Sequence, residues 1–212
     1  MGCESVAAAT TTFATTSGAS ALWRAVGRDA DDIKYLAFAG FTVGRTQRAA
    51  LDRRRALDDR IDLRGPLARL AATLGLGSEL TRPDAPLSDA QLASLRVRPE
   101  DPRSRKAGEL ARAGWSPRDM LAHAVLDPTP VVVGTADQIA DFLEEWIVAD
   151  AADGFVASFD DYGAGIAAFG EHVTPVLRER GLVADAYRGA TLREHLGLRP
   201  QHGLDPRLAP DA

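Results

Sequence analysis

Two adjacent acids, Asp160 and Asp161, directly follow the apolar run 154–159 (GFVASF), which has the length and composition of a short buried strand. Loops at the carboxyl ends of parallel strands build the active sites of α/β enzymes, so carboxylates at this point could take part in catalysis. The sequence DDYG is also typical of a turn, in which aspartate side chains accept hydrogen bonds from nearby backbone N–H groups. For an isolated pair of acids, a structural role in a turn is the favoured interpretation, and a catalytic role is the alternative.

Other reactive side chains lack the spacing of a known site. Gly134 and Thr135 stand at a predicted helix start, where backbone N–H groups can bind an anion, but no glycine-rich phosphate-binding motif surrounds them. Ser116 and Ser158 lie in no GxSxG nucleophile motif. Cys3 is the single cysteine, and the histidines lack the HExxH spacing, so we predict no metal site. The histidines are His123, His172, His195 and His202. Residue chemistry alone does not identify a reaction.

The segment that must position the two acids is the stretch 131–153, directly before the strand. Thr135 and Gln138 form the pattern of a capping box, which predicts a helix that begins at Ala136. The apolar side chains that follow recur at helical spacing and form one face, which we expect to be buried. They are Ile139, Phe142, Leu143, Trp146 and Ile147. The acids off that face are typical of a solvated helix surface. A helix followed closely by a buried strand is half of an α/β unit.

Composition limits the class of protein. The chain has 212 residues, of which 45% are hydrophobic and 26% charged, as in an ordinary soluble domain. Its net charge of −5 provides no basic field for nucleic acid or for an anionic membrane. One cysteine fits a reducing cytoplasm, and no apolar run reaches the ~18 residues of a membrane span. Arginine supplies all but two of the 25 basic residues, which favours a GC-rich bacterial genome.

The pattern of the rest of the chain predicts a single domain. A strong strand is predicted at 33–43 (IKYLAFAGFTV), and a helix should follow it from Thr46. This helix contains Arg53, Arg54 and Arg55, and the aspartates around them favour i,i+4 charge pairs on a solvated face over a nucleic-acid patch.

Helix signals also mark the second half and the ends of the chain. Capping residues predict short helices after Ser88, Ser116 and Thr191. A last long helix is predicted over 163–180. Residues 1–20 have the composition of a poorly ordered lead-in.

Three blocks of the sequence resemble one protein family, in the same chain order. They are GRDADDIKYLAFAGFTVGRT (27–46), VVVGTADQIADFLEEWIVADAADGF (131–155), and VTPVLRERGL followed by YRGATLREHLGL (173–198). The family is that of the bacterial luciferase-like flavin-dependent monooxygenases, in the branch of the nitrilotriacetate, dibenzothiophene-sulfone and long-chain alkane monooxygenases. The resemblance covers roughly residues 27–198.

The resemblance implies an α/β chain that forms the C-terminal part of a (β/α)8 TIM barrel, with about two barrel strands and mostly helices. Residues 33–43 would be strand 7 and residues 154–159 strand 8. The C-terminal portion of the barrel would span 21–200, and a tail would follow at 201–212. Within that portion, the segment 63–130 would be an insertion that acts as a lid over the barrel mouth. The N-terminal barrel half, with strands 1 to 6 and most flavin contacts, has no counterpart in the sequence. We therefore expect a truncated or split barrel.

The resemblance also implies a function. Family members use reduced FMN, supplied by a separate NAD(P)H:flavin reductase, to activate O2 and oxygenate an organic substrate. Phe41, Thr42, Phe159 and Asp160 stand at the predicted strand ends and are the substrate-side candidates; catalytic and flavin-binding residues stay unassigned. The implied partners are the flavin reductase and either an N-terminal barrel half or a second copy of the chain. The alternative is a non-catalytic remnant or helical interaction domain that binds no flavin.

Overall fold

Three parallel strands form an open sheet at the centre of the chain. The computed structural model describes Ala25 and residues 33–77, 79–187 and 189–198. The strands are β1 (Leu36–Val43), β2 (Val131–Gly134) and β3 (Gly154–Phe159), in the order β2-β1-β3. The predicted lead-in (1–20) and tail (201–212) lie outside the described residues. The described part is therefore an α/β fold with a partial sheet.

Helices and one π-helical turn occupy most of the remaining described chain. They are α1 (Gln47–Asp58), α2 (Arg64–Leu74), α3 (Asp89–Ala93), α4 (Pro102–Arg112), α5 (Pro117–Ala122), α6 (Ala136–Val148), α7 (Ala164–Ala168), the π turn (Phe169–Val173), α8 (Thr174–Glu179) and α9 (Leu192–His195). The predicted capping residues Thr46, Ser88, Ser116, Thr135 and Thr191 all cap helices, and three of them do so in complete capping boxes. In α6, Thr135 N–H donates to Gln138 Oε1 at 2.9 Å.

The number of strands differs from the sequence-based expectation of about two. Strand β2 is the additional one, and it pairs only with the second half of β1, where Gly40 lies opposite Val131 and Val43 opposite Gly134. Its four residues are too short a run to be distinguished by periodicity from the lead-in of a capped helix. Strands β1 and β3 pair directly and in parallel, as strands 7 and 8 of a barrel would.

One face of the sheet packs against α6, the π turn and α8. Phe41 of β1 is buried there against Ile139 and Leu143 of α6 and Val173 of the π turn. The predicted apolar stripe of α6 therefore faces the core at its N-terminal end. At the other end Ile147 is 38% exposed.

Residues 63–130 build a second core around α2, α4 and α5. Its centre includes Leu70, Leu74, Met120 and Val125. The buried hydroxyl of Ser104 donates to the backbone carbonyl of Thr73 at 2.7 Å and fixes α4 on α2. This segment follows α1 along the chain and leads into β2, and its last residues, Asp127, Pro128 and Thr129, line the cavity at the strand ends described below. Its role as a lid remains a prediction.

The predicted last helix is interrupted by the π turn between α7 and α8. Pro175 lies in the first turn of α8 and lacks the N–H that would bond to the carbonyl four residues before it. The wider i→i+5 turn accommodates this loss of a donor. No described helix is long and apolar enough to cross a membrane.

Candidate functional site

A cavity of about 210 Å3 opens at the carboxyl ends of β1 and β3, next to α1. All four substrate-side candidates, Phe41, Thr42, Phe159 and Asp160, line it. The other polar lining residues come from α1, from the loop before β2 and from β3. They are Arg54, Asp127, Thr129 and Ser158. Ends of parallel strands meet at this edge, which is where α/β enzymes bind ligands.

The two aromatic candidates belong to the packed core. The ring of Phe41 lies 5.3 Å from that of Phe169, and the ring of Phe159 lies 5.4 Å from the same residue, measured between centroids. Both side chains therefore contact the helix side of the sheet and shape the floor of the cavity. Their contact with a substrate stays a prediction.

Thr42 lies on the opposite face of β1, and its hydroxyl has no protein partner. Its side chain is 1% exposed, and no described residue lies within hydrogen-bond distance of Oγ1. A buried hydroxyl without a hydrogen-bond partner lowers the stability of the folded state by about 1–3 kcal/mol. Thr42 is one of the residues that line the cavity, while its Oγ1 is itself shielded from solvent.

Asp160 is held by an ion pair with α1. Arg53 Nε donates to Oδ2 at 2.5 Å and Nη2 donates to Oδ1 at 3.0 Å, and the Asp160 side chain is 1% exposed. The hydrogen bonds that Arg53 donates to this carboxylate raise the pKa of Arg53 above its usual value. Gly165 permits the approach of α7, because a Cβ there would lie 2.7 Å from Asp160 Oδ1. Asp160 is thus fixed in position by Arg53 of α1.

Asp161 has the role expected of a turn residue. Its Oδ1 accepts hydrogen bonds from the backbone N–H groups of Gly163 at 2.9 Å and Ala164 at 2.6 Å. These bonds lower the pKa of Asp161. The turn interpretation is therefore confirmed for this member of the acid pair.

The predicted i,i+4 pairing is present in α1, where Arg54 pairs with Asp58 at 3.9 Å and Arg48 with Asp52 at 2.6 Å. The three consecutive arginines also bind acids on other elements, which was not predicted. Arg53 reaches Asp160, Arg54 Nη2 donates to Asp127 at 2.9 Å, and Arg55 Nη1 donates to Asp119 at 2.9 Å. The sequence alone did not predict that these three ion pairs contribute to the site. Helical geometry contained the signal: residues one position apart project about 100° apart, so three in a row cannot share one solvated face.

A partly buried charge cluster lies behind the cavity. Burial raises the pKa of Asp58, and the nearby cation of Arg54 opposes that shift. Burial also lowers the pKa of Lys106, whose Nζ donates to the carbonyl oxygen of His123 at 3.0 Å. The imidazole of His123 has its pKa lowered to about 4 by burial and by the charge of Lys106.

Comparison with known proteins identifies relatives of one kind. The dimethyl-sulfide monooxygenase of Hyphomicrobium sulfonivorans is 30% identical over 173 residues, which are 81% of this chain and 35% of that enzyme. The dibenzothiophene-sulfone monooxygenase of Rhodococcus erythropolis is 31% identical over 192 residues, which are 88% of this chain and 42% of that enzyme. The solved EDTA monooxygenase from Chelativorans sp. BNC1 superposes on 87% of this chain with a TM-score of 0.62 at 26% identity. The chain belongs to the luciferase-like monooxygenase family.

This luciferase-like chain spans less than half the length of the relatives it matches. It covers 43% of the EDTA monooxygenase chain and 35% of the dimethyl-sulfide monooxygenase. No protein-family model matches it. The family resemblance inferred from the three sequence blocks is confirmed, and so is the relationship to TIM-barrel enzymes.

The cavity at the carboxyl ends of β1 and β3 does not by itself fit a whole flavin mononucleotide. Sites for ligands of that size are usually about 300–1,000 Å3, and the cavity measures about 210 Å3. Arg54 is the basic side chain among its lining residues, and it already binds Asp127. The cavity therefore lacks an uncommitted cation for a phosphate. In the described part of the chain, no group of three or more His, Cys, Asp or Glu side chains is arranged to hold a metal ion.

Proposed function

We propose that this chain is the C-terminal part of a flavin-dependent, two-component monooxygenase that oxygenates an organic substrate with O2. In this proposal a separate NAD(P)H:flavin reductase supplies reduced FMN, and most contacts to the flavin come from strands 1 to 6 of the barrel. The observation that carries the proposal is the collinear match of 81% and 88% of the chain to two monooxygenases at 30% and 31% identity. A cytoplasmic location in a bacterium fits these relatives.

In this function the cavity lies on the substrate side of the barrel mouth. Thr42 Oγ1 is the group that would hydrogen-bond to a bound molecule, since it has no protein partner among the described residues. Arg53 and Asp160 are positioning residues, because their ion pair holds α1 over the end of β3. The segment 63–130 then acts as the lid over the same mouth.

A chimera tests the proposed function directly. The segment of the Hyphomicrobium dimethyl-sulfide monooxygenase that matches this chain is replaced by residues 33–198 of this chain. FMN binding is measured by quenching of flavin fluorescence, and oxidation of dimethyl sulfide is measured with a flavin reductase, NADH and FMN. We expect a folded chimera that binds FMN and consumes O2 in a substrate-dependent way. A folded chimera that binds no flavin would contradict the proposal.

A second function, that of a non-catalytic interaction domain, is favoured by one observation. The cavity at the carboxyl ends of β1 and β3 is small and Arg54 within it is paired with Asp127, so this cavity alone presents no complete flavin site. The chimera separates the two functions, because an interaction domain would not restore flavin binding to the barrel.

A further inference from the structure

Arg54 of α1 stands between two carboxylates. Its Nη2 donates to Asp127 Oδ2 at 2.9 Å, and both residues line the cavity at the strand ends. Its Nε lies 3.9 Å from Oδ1 of Asp58, four residues further along the same helix, which is too long for a hydrogen bond. The cation therefore holds one carboxylate and lies within about 1 Å of bonding distance to the other.

Asp58 is the carboxylate that lacks a hydrogen bond at one oxygen. Its Oδ2 is buried, and no described residue lies within hydrogen-bond distance of it. The Asp58 side chain is 16% exposed, whereas that of Asp127 is 30% exposed and can be hydrated when released. A buried acceptor without a partner destabilises the arrangement that contains it. The present pairing of Arg54 thus leaves the more buried of its two acids unsatisfied.

The charged groups that face Asp58 are Arg54, Arg118 and Asp127. Burial raises the pKa of Asp58, the two arginines lower it, and Asp127 raises it. The Nη atoms of Arg118 already pair with Asp59 and with Asp84. Arg54 is therefore the cation that can move to Asp58 without breaking these other ion pairs.

Asp127 belongs to a short connection between the second core and β2. Residues 127–130, which we name the strap, end at Pro130, whose carbonyl oxygen accepts a hydrogen bond from Gly40 N–H of β1 at 2.9 Å. Before the strap, Ala124 has a φ of +57°, which is unfavourable for a residue with a side chain. Its carbonyl accepts the N–H of Asp127 at 3.2 Å. The strap thus lies between a strained residue and β1, with the Arg54–Asp127 pair beside the cavity.

We propose that Arg54 is a latch: bonded to Asp127 it holds the strap against the cavity, and transferred to Asp58 it releases the strap and opens the cavity. This inference rests on the proposed function, in which the cavity lies on the substrate side. The transfer exchanges one ion pair for another, satisfies the buried Asp58 and leaves Asp127 to water. Two arrangements that differ so little in their bonding can serve as the states of a switch.

The test is amide hydrogen exchange on the full chain, without flavin or substrate. Gly40 N–H reports on the strap because it donates to Pro130; Gly44 N–H, which donates to Gly134 at the far end of β2, is the internal control. Asp127→Asn removes the acid that holds the strap, so exchange at Gly40 should be faster by about threefold or more. Asp58→Asn removes the alternative acid, so exchange at Gly40 should be slower by about threefold or more. Exchange at Gly44 should not change.

The opposite signs distinguish a latch from two structural ion pairs. If both pairs only stabilised the fold, the loss of either carboxylate would speed exchange at Gly40, and that result would overturn the proposal. Unchanged exchange in Asp58→Asn would overturn it as well. Asp52→Asn is the matched control, because Asp52 forms an exposed i,i+4 pair with Arg48 on the same helix and should leave Gly40 unaffected. Urea unfolding verifies that each variant is folded.

A second measurement tests the latch even if Asp58→Asn does not fold. The carboxyl group of Asp58 is titrated by NMR before and after Asp127→Asn, once with Arg54 present and once in an Arg54→Met background. Loss of the Asp127 charge lowers the pKa of Asp58 in both backgrounds. Transfer of Arg54 should add a further fall of about one unit only where Arg54 is present. Equal shifts in the two backgrounds would overturn the latch.

Failure of the latch and failure of the proposed function are separate results. The exchange and titration experiments contain no flavin, so a negative result there leaves the proposed function in place. A folded chimera that binds no flavin would contradict the proposed function and would not alter the exchange rates at Gly40.

Discussion

Arg53 and Asp160 join the helix that follows β1 to the end of β3. The guanidinium donates from Nε and Nη2 to the two carboxylate oxygens at 2.5 and 3.0 Å. The pair spans 107 residues of sequence, and its acid is almost completely buried. Charge-assisted, two-pronged pairs of this type fix orientation as well as distance. This long-range contact, together with that of Arg54 with Asp127, holds the wall of the cavity.

Arg53→Met should destabilise the protein by about 3 kcal/mol, because it leaves the buried Asp160 carboxylate without its partner. The measurement is the urea midpoint at constant m-value. The double variant Arg53→Met, Asp160→Asn should recover part of the loss, since it removes the unpaired charge. Arg64→Met is the control: Arg64 pairs with Asp62 at the surface, so the midpoint should not move. Equal midpoints for Arg53→Met and the control would show that the pair adds no stability.

Thr42→Val tests whether the unpartnered hydroxyl serves a ligand. The substitution keeps the shape and removes a buried polar group without a protein partner, so stability should stay constant or rise by about 1 kcal/mol. In the chimera described above, the same change should raise the KM for the substrate. A fall in stability of the isolated chain, with no effect on the chimera, would mean that Oγ1 has a structural role. Thermal unfolding and steady-state kinetics provide the two readouts.

The sequence predicted local structure well and long-range contacts poorly. Thr135 and Gln138 specify their capping box within four residues, so the start of α6 could be predicted without knowledge of the fold. Strand β2 could not be predicted in this way, because these residues form a strand only by pairing with β1 at Gly40, more than 90 residues earlier. The partners of Arg53 and Arg54 were missed for the same reason, since nothing local distinguishes an aspartate four residues away from one across the sheet. Asp160 was identified as a site candidate because it directly follows a strand.

Stability should depend on pH through His123. Burial lowers its pKa in the folded state to about 4, below the unfolded value of about 6.5. The unfolded state then binds more protons between these values, so stability is complete above pH ~6.5 and is lost as the pH falls toward about 4. The loss attributable to this group is on the order of 3 kcal/mol. Lys106 and Asp119 are the charged neighbours that also act on its pKa.

The measurement is the urea midpoint of the protein and of His123→Leu between pH 4 and 7. Carboxylates titrate in the lower part of this range in both proteins, so the difference between the two curves isolates the histidine. We expect the variant to lose less stability on acidification. Parallel curves would contradict a neutral, buried His123.

Trp146→Ala should destabilise the protein by about 2 kcal/mol. The Trp146 ring lies 5.5 Å from that of Phe142 and 6.0 Å from that of Phe155, but the residue is only partly buried. The cost is therefore below the ~3–5 kcal/mol of a fully buried tryptophan, which the sequence pattern alone would suggest. Val148→Ala on the exposed side of α6 should change the unfolding free energy by less than about 0.5 kcal/mol. An effect of Trp146→Ala as small as that of this control would show that its aromatic contacts do not stabilise the fold.

Gly165→Ala and Gly170→Ala form a matched pair that probes the approach of α7 to β3. A Cβ on Gly165 would lie 2.7 Å from Asp160 Oδ1 and 3.0 Å from Phe159 Cβ, so α7 or the carboxylate must shift. We expect a loss of about 1–3 kcal/mol, as for other overpacked sites. Gly170 has no atom within 4 Å of the same position, and alanine there should stabilise by about 0.5–1 kcal/mol. Denaturant unfolding measures both variants. If Gly165→Ala stabilised the protein, α7 would not be in close contact with the Arg53–Asp160 pair.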